Sequence, residues 1–251
     1  MTINENSGPT EPESVLVGDI LVHSFDSPKC LAEHVIQDDG SLTPGLAVAI
    51  NPEKIMRARE DASLAVTLKS ATIRYADGAG VVWAMRRKGI SGVRVPGVEV
   101  WGELMRRAAE KGVPVFLLGA RENVLTDTVA KLQQEFPQII IAASTHGYSS
   151  DKDMEAFASA LAGTQAAVVA VAMGSPKQEQ VIAELRQNSR QAFFMGVGGT
   201  FDCYTGAVPR APSRWRNANL EWLFRLLQQP SRIWRQWVLL PYVFLTLIGR
   251  I

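Results

Sequence analysis

The chain has 251 residues, of which 47% are hydrophobic and 20% charged, a composition that excludes the disordered and fibrous classes. Lys and Arg number 26 against 25 Asp and Glu, and a net charge of +1 gives no chain-wide field for nucleic acid. Two cysteines, Cys30 and Cys203, make neither a disulfide scaffold nor a metal quartet, and read as reduced thiols of a cytosolic protein.

The first fourteen residues, MTINENSGPTEPES, carry three glutamates and no basic residue. A secretory signal needs a positive start and an apolar stretch, so residues 1–14 are expected to be a frayed, disordered tail. Short apolar runs then alternate with helical stretches. LAVAI (46–50) reads as a strand and the following NPEKIMRAREDASLAVTLKS as helix with turns. TIRYA (72–76) is strand-like, 78–89 helical, and 98–112 a helix with apolar residues at helical spacing and a Gly stop. PVFLLG (114–119) is the clearest buried strand, with a helix over 122–136 after it. Strands at 138–144, 166–174 and 192–199 then alternate with helices at 151–162 and 177–188. This alternation predicts right-handed crossovers and an α/β fold, a Rossmann-like, mainly parallel sheet with flanking helices.

From Arg210 onward the composition changes. Seven arginines (210, 214, 216, 225, 232, 235, 250) and one acid, Glu221, give that segment +6 and leave −5 for residues 1–209. The uncharged run from Trp237 to Gly249 is interrupted by Pro241 and is shorter than the roughly 20 residues of a bilayer span. Arginines followed by Trp, Leu, Tyr and Phe suit a helix lying on a membrane surface. The domain reading is therefore an α/β catalytic body over 15–208 and an arginine-rich, membrane-associated helical appendage over 209–251.

In open α/β sheets ligands sit beyond the carboxyl ends of the strands. The loops there are Asn51-Pro52-Glu53, Asp77-Gly78-Ala79-Gly80, Ala120-Arg121-Glu122, Ser175-Pro176-Lys177-Gln178-Glu179 and Val197-Gly198-Gly199-Thr200-Phe201-Asp202. Asp77 reads either as a helix N-cap or as a general base. The Gly119-Ala120-Arg121 and Gly174-Ser175-Pro176 turns offer backbone N–H groups to phosphate, although neither is a P-loop and GVGGT lacks the dinucleotide fingerprint. No HExxH, Cys/His cluster or GxSxG is present. Asp151-Lys152-Asp153 matches the DxD of metal-dependent sugar transferases, but it follows two serines at a helix start and reads as capping, so no metal and no other cofactor is expected.

Taken together, YADGAGVV, RVPGVEVWGELMRRAAEKGVPVFLLGARENV, VAMGSPKQE, GVGGTFDCYTGAVPRAP and NLEWLFRLLQQPSRIWRQ resemble the WecG/TagA/CpsF glycosyltransferase family in order and spacing. The resemblance runs from about residue 15 to residue 240. VAINPEK, VAMGSPKQE and LLQQPSRI look closest to the enterobacterial common antigen branch. The resemblance implies a UDP-sugar donor, N-acetyl-D-mannosaminuronic acid, and an undecaprenyl-diphosphate-linked GlcNAc acceptor at the cytoplasmic face of the bacterial inner membrane, where the protein would be peripheral. It implies that Asp77 is the catalytic base, that Asn51 and Gln178 position sugars, and that Arg225, Arg232 and Arg235 bind diphosphate. Family members of the teichoic-acid branch tend to have a threonine two residues before the asparagine, where this chain has Ala49. Thr200 and Asp202 either touch substrate or close a turn, and Lys177, Arg121 and Arg210 are candidate cations for the donor carboxylate. A neutral N-acetylmannosamine or another UDP-hexose donor, a non-catalytic nucleotide-sugar sensor and a homo-oligomeric state all stay open at this point.

Overall fold

The computed structural model describes residues 11–217, 221–228 and 237–251. The chain opens with a hairpin of β1 (Ser14–Val17) and β2 (Ile20–His23), followed by α1 (Pro28–Val35). Strand β3 (Gly45–Ile50) leads through α2 (Pro52–Glu60) and α3 (Ala62–Ser70) to β4 (Ile73–Ala76). Helices α4 (Ala79–Arg87) and α5 (Gly97–Lys111) precede β5 (Val115–Gly119), α6 (Glu122–Glu135) and β6 (Ile141–Thr145). Then come α7 (Asp151–Ala162), β7 (Val168–Ala172), α8 (Lys177–Asn188), β8 (Phe193–Gly196) and α9 (Thr200–Thr205). The C-terminal part contributes α10 (Ser213–Asn217), α11 (Glu221–Gln228) and α12 (Leu239–Leu247).

The strands form one eight-stranded sheet in the order β1-β2-β4-β3-β8-β7-β5-β6. Only β1 and β2 pair antiparallel; every other neighbouring pair is parallel, as the alternating pattern predicts. β5 and β7 are buried at every position, because helices cover both faces. Side chains alternate between two cores. Val115, Leu117, Val168 and Ala170 face the core under α1, α5 and α6, while Phe116, Leu118, Val169 and Val171 face the core under α2, α4, α7 and α8. Truncating Phe116, fully buried in the second core against Phe157, would cost about 3–5 kcal/mol.

The hairpin and α1 were not anticipated. β1 starts at Ser14, the last residue of the expected tail, and Gly18 takes a left-handed φ of 62° in the Gly18-Asp19 turn that joins it to β2. The strands are only four residues long, so their alternation is too brief to read from sequence. Asp151-Lys152-Asp153 starts α7, and Ser150 and Asp153 form a capping box, as the sequence suggests. Pro241 falls in the first turn of α12, where its missing N–H costs nothing. One side of α12 packs on the body: Tyr242 is 1% exposed and its hydroxyl donates to the Gly80 carbonyl at 3.1 Å.

Between β4 and β5 the chain crosses over β3, β8 and β7. The carboxyl ends of those strands therefore lie where the direction of winding changes, the place at which doubly wound sheets hold ligands.

Candidate active site

The site grows from the register of β3 and β4. Ala49 lies opposite Tyr75 and Ile50 opposite Ala76, so Asn51 and Asp77 leave the sheet side by side, and the Asp77 N–H donates to the Ile50 carbonyl at 3.0 Å. Asn51 is extended (φ −132°, ψ 166°) and its Oδ1 accepts from the Lys54 N–H at 2.8 Å, capping α2. Asp77 does not do the same. The cap position of α4 falls on Gly78, and no side chain caps that helix.

The Asp77 carboxylate instead faces a guanidinium. Its Oδ1 lies 3.7 Å from Arg94 Nη2, and the same nitrogen is 2.7 Å from Oε2 of Glu221 at the start of α11. Arg94 is held there because the loop before α5 runs back along β4, with the Val95 N–H donating to the Ala76 carbonyl at 2.8 Å. The first turn of α5 closes the other side. A Cβ on Gly97 would stand 3.0 Å from the Tyr75 hydroxyl and 3.5 Å from Asp77 Oδ2, so the bare backbone of this residue lets the positive end of a 15-residue helix approach the carboxylate. Tyr75 is buried, and burial together with the Asp77 charge pushes its phenol well above the usual range, so it stays a neutral hydroxyl. That hydroxyl has no partner among the described residues.

A second polar group sits at the ends of β3, β7 and β8. Gln178 Oε1 accepts from the Gly198 N–H at 3.0 Å, and its Nε2 donates to Glu179 Oε1 at 3.3 Å. Glu179 Oε1 also meets Lys54 Nζ at 3.2 Å. Both Gln178 and Glu179 are 4% exposed. A Cβ on Gly196 would fall 2.5 Å from Gln178 Nε2, so a larger residue at the end of β8 would have to displace this amide. Gln178 thus ties the loop after β7 to the loop after β8, and Lys54 ties α2 to α8.

The other expected residues separate. Thr200 closes a turn: it is buried and its hydroxyl donates to the Val197 carbonyl at 2.6 Å. Asp202 lies in α9, half-buried, and its carbonyl accepts from the Val208 N–H at 3.0 Å. Lys177 and Arg121 are exposed at the starts of α8 and α6. Arg210 is paired with Glu99 at 2.6 Å, and Arg216 reaches the same oxygen at 3.4 Å. The Arg225 side chain and the whole of Arg232 and Arg235 lie outside the described residues. Helices α6 and α8 have no side-chain cap, and at the start of α8 the Gln178 N–H donates to the Gly174 carbonyl at 2.9 Å and the Glu179 N–H to the Pro176 carbonyl at 3.1 Å. Among the described residues, no three His, Cys, Asp or Glu side chains converge as a metal cluster. A groove of about 710 Å³ beside α5, floored by Trp101 and rimmed by Glu99 and Arg210, contains none of Asn51, Asp77 or Gln178.

A comparison of the sequence with known families matches residues 17–251 to the Glycosyl transferase WecG/TagA/CpsF family. The chain belongs to that family. It is therefore a glycosyltransferase, and the family implies a nucleotide-sugar donor and a lipid-linked acceptor. Among the described residues no helix is long and apolar enough to cross a membrane.

Reading the sequence alone missed Lys54, Arg94, Glu99 and Arg216 as parts of this constellation. Their roles come from contacts between segments far apart in the chain, which no local spacing encodes. Glu221 did carry a signal, since it is the one acid among seven arginines.

Proposed function

We propose that this transferase is an inverting enzyme that moves N-acetyl-D-mannosaminuronic acid from UDP to undecaprenyl-diphosphate-GlcNAc, in enterobacterial common antigen synthesis. The observation that carries the reading is the Asp77 carboxylate at the end of β4, 30% exposed and not used as a helix cap. Asp77 takes the proton from the acceptor hydroxyl as that oxygen bonds to the anomeric carbon. The bond from that carbon to the diphosphate breaks, and UDP leaves with the electron pair. One carboxylate suffices for a single inverting displacement, whereas glycoside hydrolysis uses two.

Charge on the leaving diphosphate needs cations, and the C-terminal segment is rich in them. Arg225, Arg232 and Arg235 are assigned this role, with guanidinium forks replacing a divalent ion, so transfer is expected without metal. Asn51 and Gln178 are assigned to shape the sugar site, Asn51 through its amide nitrogen because its oxygen caps α2. Lys177 and Arg121 remain the candidate partners of the donor carboxylate, whereas Arg210 is already matched by Glu99.

The acceptor is lipid-linked, and α12 supports a peripheral position on the inner membrane. Leu240, Val243, Phe244 and Leu247 recur at helical spacing on its outer side, with Leu240 66% and Phe244 62% exposed, and Trp237 precedes them. Donor profiling with UDP-N-acetylmannosaminuronic acid, UDP-N-acetylmannosamine and UDP-glucose tests the assignment. Preference for the uronate is expected; preference for a neutral sugar would replace it with the N-acetylmannosamine or hexose reading, and tight binding without turnover would make the chain a sensor.

A further inference from the structure

We propose that Glu221 is a positioning residue: through Arg94 it fixes helix α11, and with it the position of Arg225, against the Asp77 end of β4. The proposal rests on the reading of Asp77 as the base. Glu221 is the only acid in residues 210–251, and it is 4% exposed, a state that a carboxylate adopts only when paired. Its Oε2 lies 2.7 Å from Arg94 Nη2, a charge-assisted hydrogen bond, with the two side chains 6% and 18% exposed. That same nitrogen is 3.7 Å from Asp77 Oδ1. One guanidinium therefore joins the C-terminal segment to the proposed base.

The attachment has a direction. Residue 225 lies one turn beyond Glu221 in α11, so anchoring the first residue of that helix sets where residue 225 stands relative to β4. A second ion-pair cluster holds the same segment upstream, where Arg210 and Arg216 share Glu99 in the first turn of α5. The polarity is reversed between the two: the tail supplies the acid to Arg94 and the bases to Glu99. Such a reversal defines one alignment of α10 and α11 on the body, because a slipped arrangement would set like charges against each other. A lone acid in a +6 segment is thereby explained as the group that registers the tail on the active site.

The test compares the full-length wild type with Glu221→Gln and Glu221→Asp by two readouts. The first is steady-state transfer from UDP-N-acetylmannosaminuronic acid to GlcNAc-diphospho-lipid. The second is the rate at which trypsin releases the C-terminal segment at its arginines under native conditions, which reads local opening. Glu221→Gln is expected to lower kcat about 10²-fold, the scale of a displaced transition-state group, with a smaller change in KM. It should also release the segment faster, while Glu221→Asp restores most of both. Unchanged kcat and an unchanged tryptic rate in Glu221→Gln would overturn the proposal, as would lost turnover with wild-type resistance to trypsin. Should Glu221→Gln unfold the body, Glu221→Asp decides by the same two readouts: near-wild-type values support the pairing, and losses as large as those expected of the amide overturn it. Accelerated cleavage in Glu221→Gln when the wild type transfers nothing would uphold Glu221 as the anchor and remove the donor assignment instead.

Discussion

Two polar clusters stand at the carboxyl ends of neighbouring strands, and they are put to different uses. The cluster on β3, β7 and β8 (Asn51, Lys54, Gln178, Glu179) pairs with backbone N–H groups and with itself through Glu179 Oε1, and its Gln and Glu are 4% exposed. It leaves Glu179 Oε2 without a partner among the described residues. The cluster on β4 (Asp77, Arg94, Glu221) joins side chains to side chains across distant segments and leaves Asp77 30% exposed. Residue type does not separate them, since each contains a carboxylate and a cation. What separates them is whether the neighbouring helix has already claimed the side chain. α2 claims Asn51 as its cap, whereas the cap position of α4 falls one residue later, on Gly78, and leaves the Asp77 carboxylate facing Arg94. Damage to the Lys54–Glu179 pair of the first cluster should appear in stability, and damage to Asp77 in the second in turnover.

The largest effect expected is on chemistry. Asp77→Asn should lower transfer by roughly 10²-fold or more in a protein whose unfolding midpoint matches wild type. A parallel loss of stability would erase the contrast between the clusters. The reverse is expected of Lys54→Ala. It strands the buried Glu179 carboxylate without its cation and should cost about 3 kcal/mol by denaturant unfolding, the scale of a broken buried pair. Between these extremes, Phe244→Ser on the outer face of α12 should weaken binding to anionic phospholipid vesicles by about tenfold, the loss of roughly one buried aromatic side chain, without altering the unfolding midpoint. Unchanged vesicle binding would remove α12 from the membrane reading.

The smallest effect is on pH dependence. Burial, reinforced by the charge of Arg74, holds His23 below its ordinary pKa of 6.5, and its Nδ1 accepts from the Arg74 N–H at 3.0 Å, which requires the neutral ring. Burial also lowers His34. The unfolded chain binds these protons more readily, so their contribution to stability is intact above pH 6.5 and declines as pH falls below it toward the lower native values. Unfolding midpoints measured from about pH 7.5 to 5.5 should fall less steeply in His23→Gln than in wild type.

Much of the fold was legible because β3, β5 and β7 are covered on both faces and read as unbroken apolar runs between helices of ordinary length. The loops at the strand ends were legible for the same reason, since the strands fix where the loops begin. The β1–β2 hairpin was not, because four-residue strands at a sheet edge carry little pattern. Asp77 could be placed at the end of β4, but whether it capped α4 turned on a single residue of helix start, which spacing does not fix. The alternative of an exposed first turn at Gln178 fails, because the residue is buried and its amide accepts from the Gly198 N–H, a brace between two loops that local spacing does not encode. Arg94 and Glu221 are 127 residues apart, so their meeting is a property of the folded chain alone.

The central claim is a metal-free, Asp77-based transfer, and one assay tests it most directly. Transfer from UDP-N-acetylmannosaminuronic acid to a GlcNAc-diphospho-lipid is measured in the presence of EDTA for wild type and Asp77→Asn. Sustained wild-type turnover, with a loss of roughly 10²-fold or more in a folded Asp77→Asn, is the predicted result. Wild-type turnover that EDTA abolishes, or an Asp77→Asn variant as active as wild type, would contradict it.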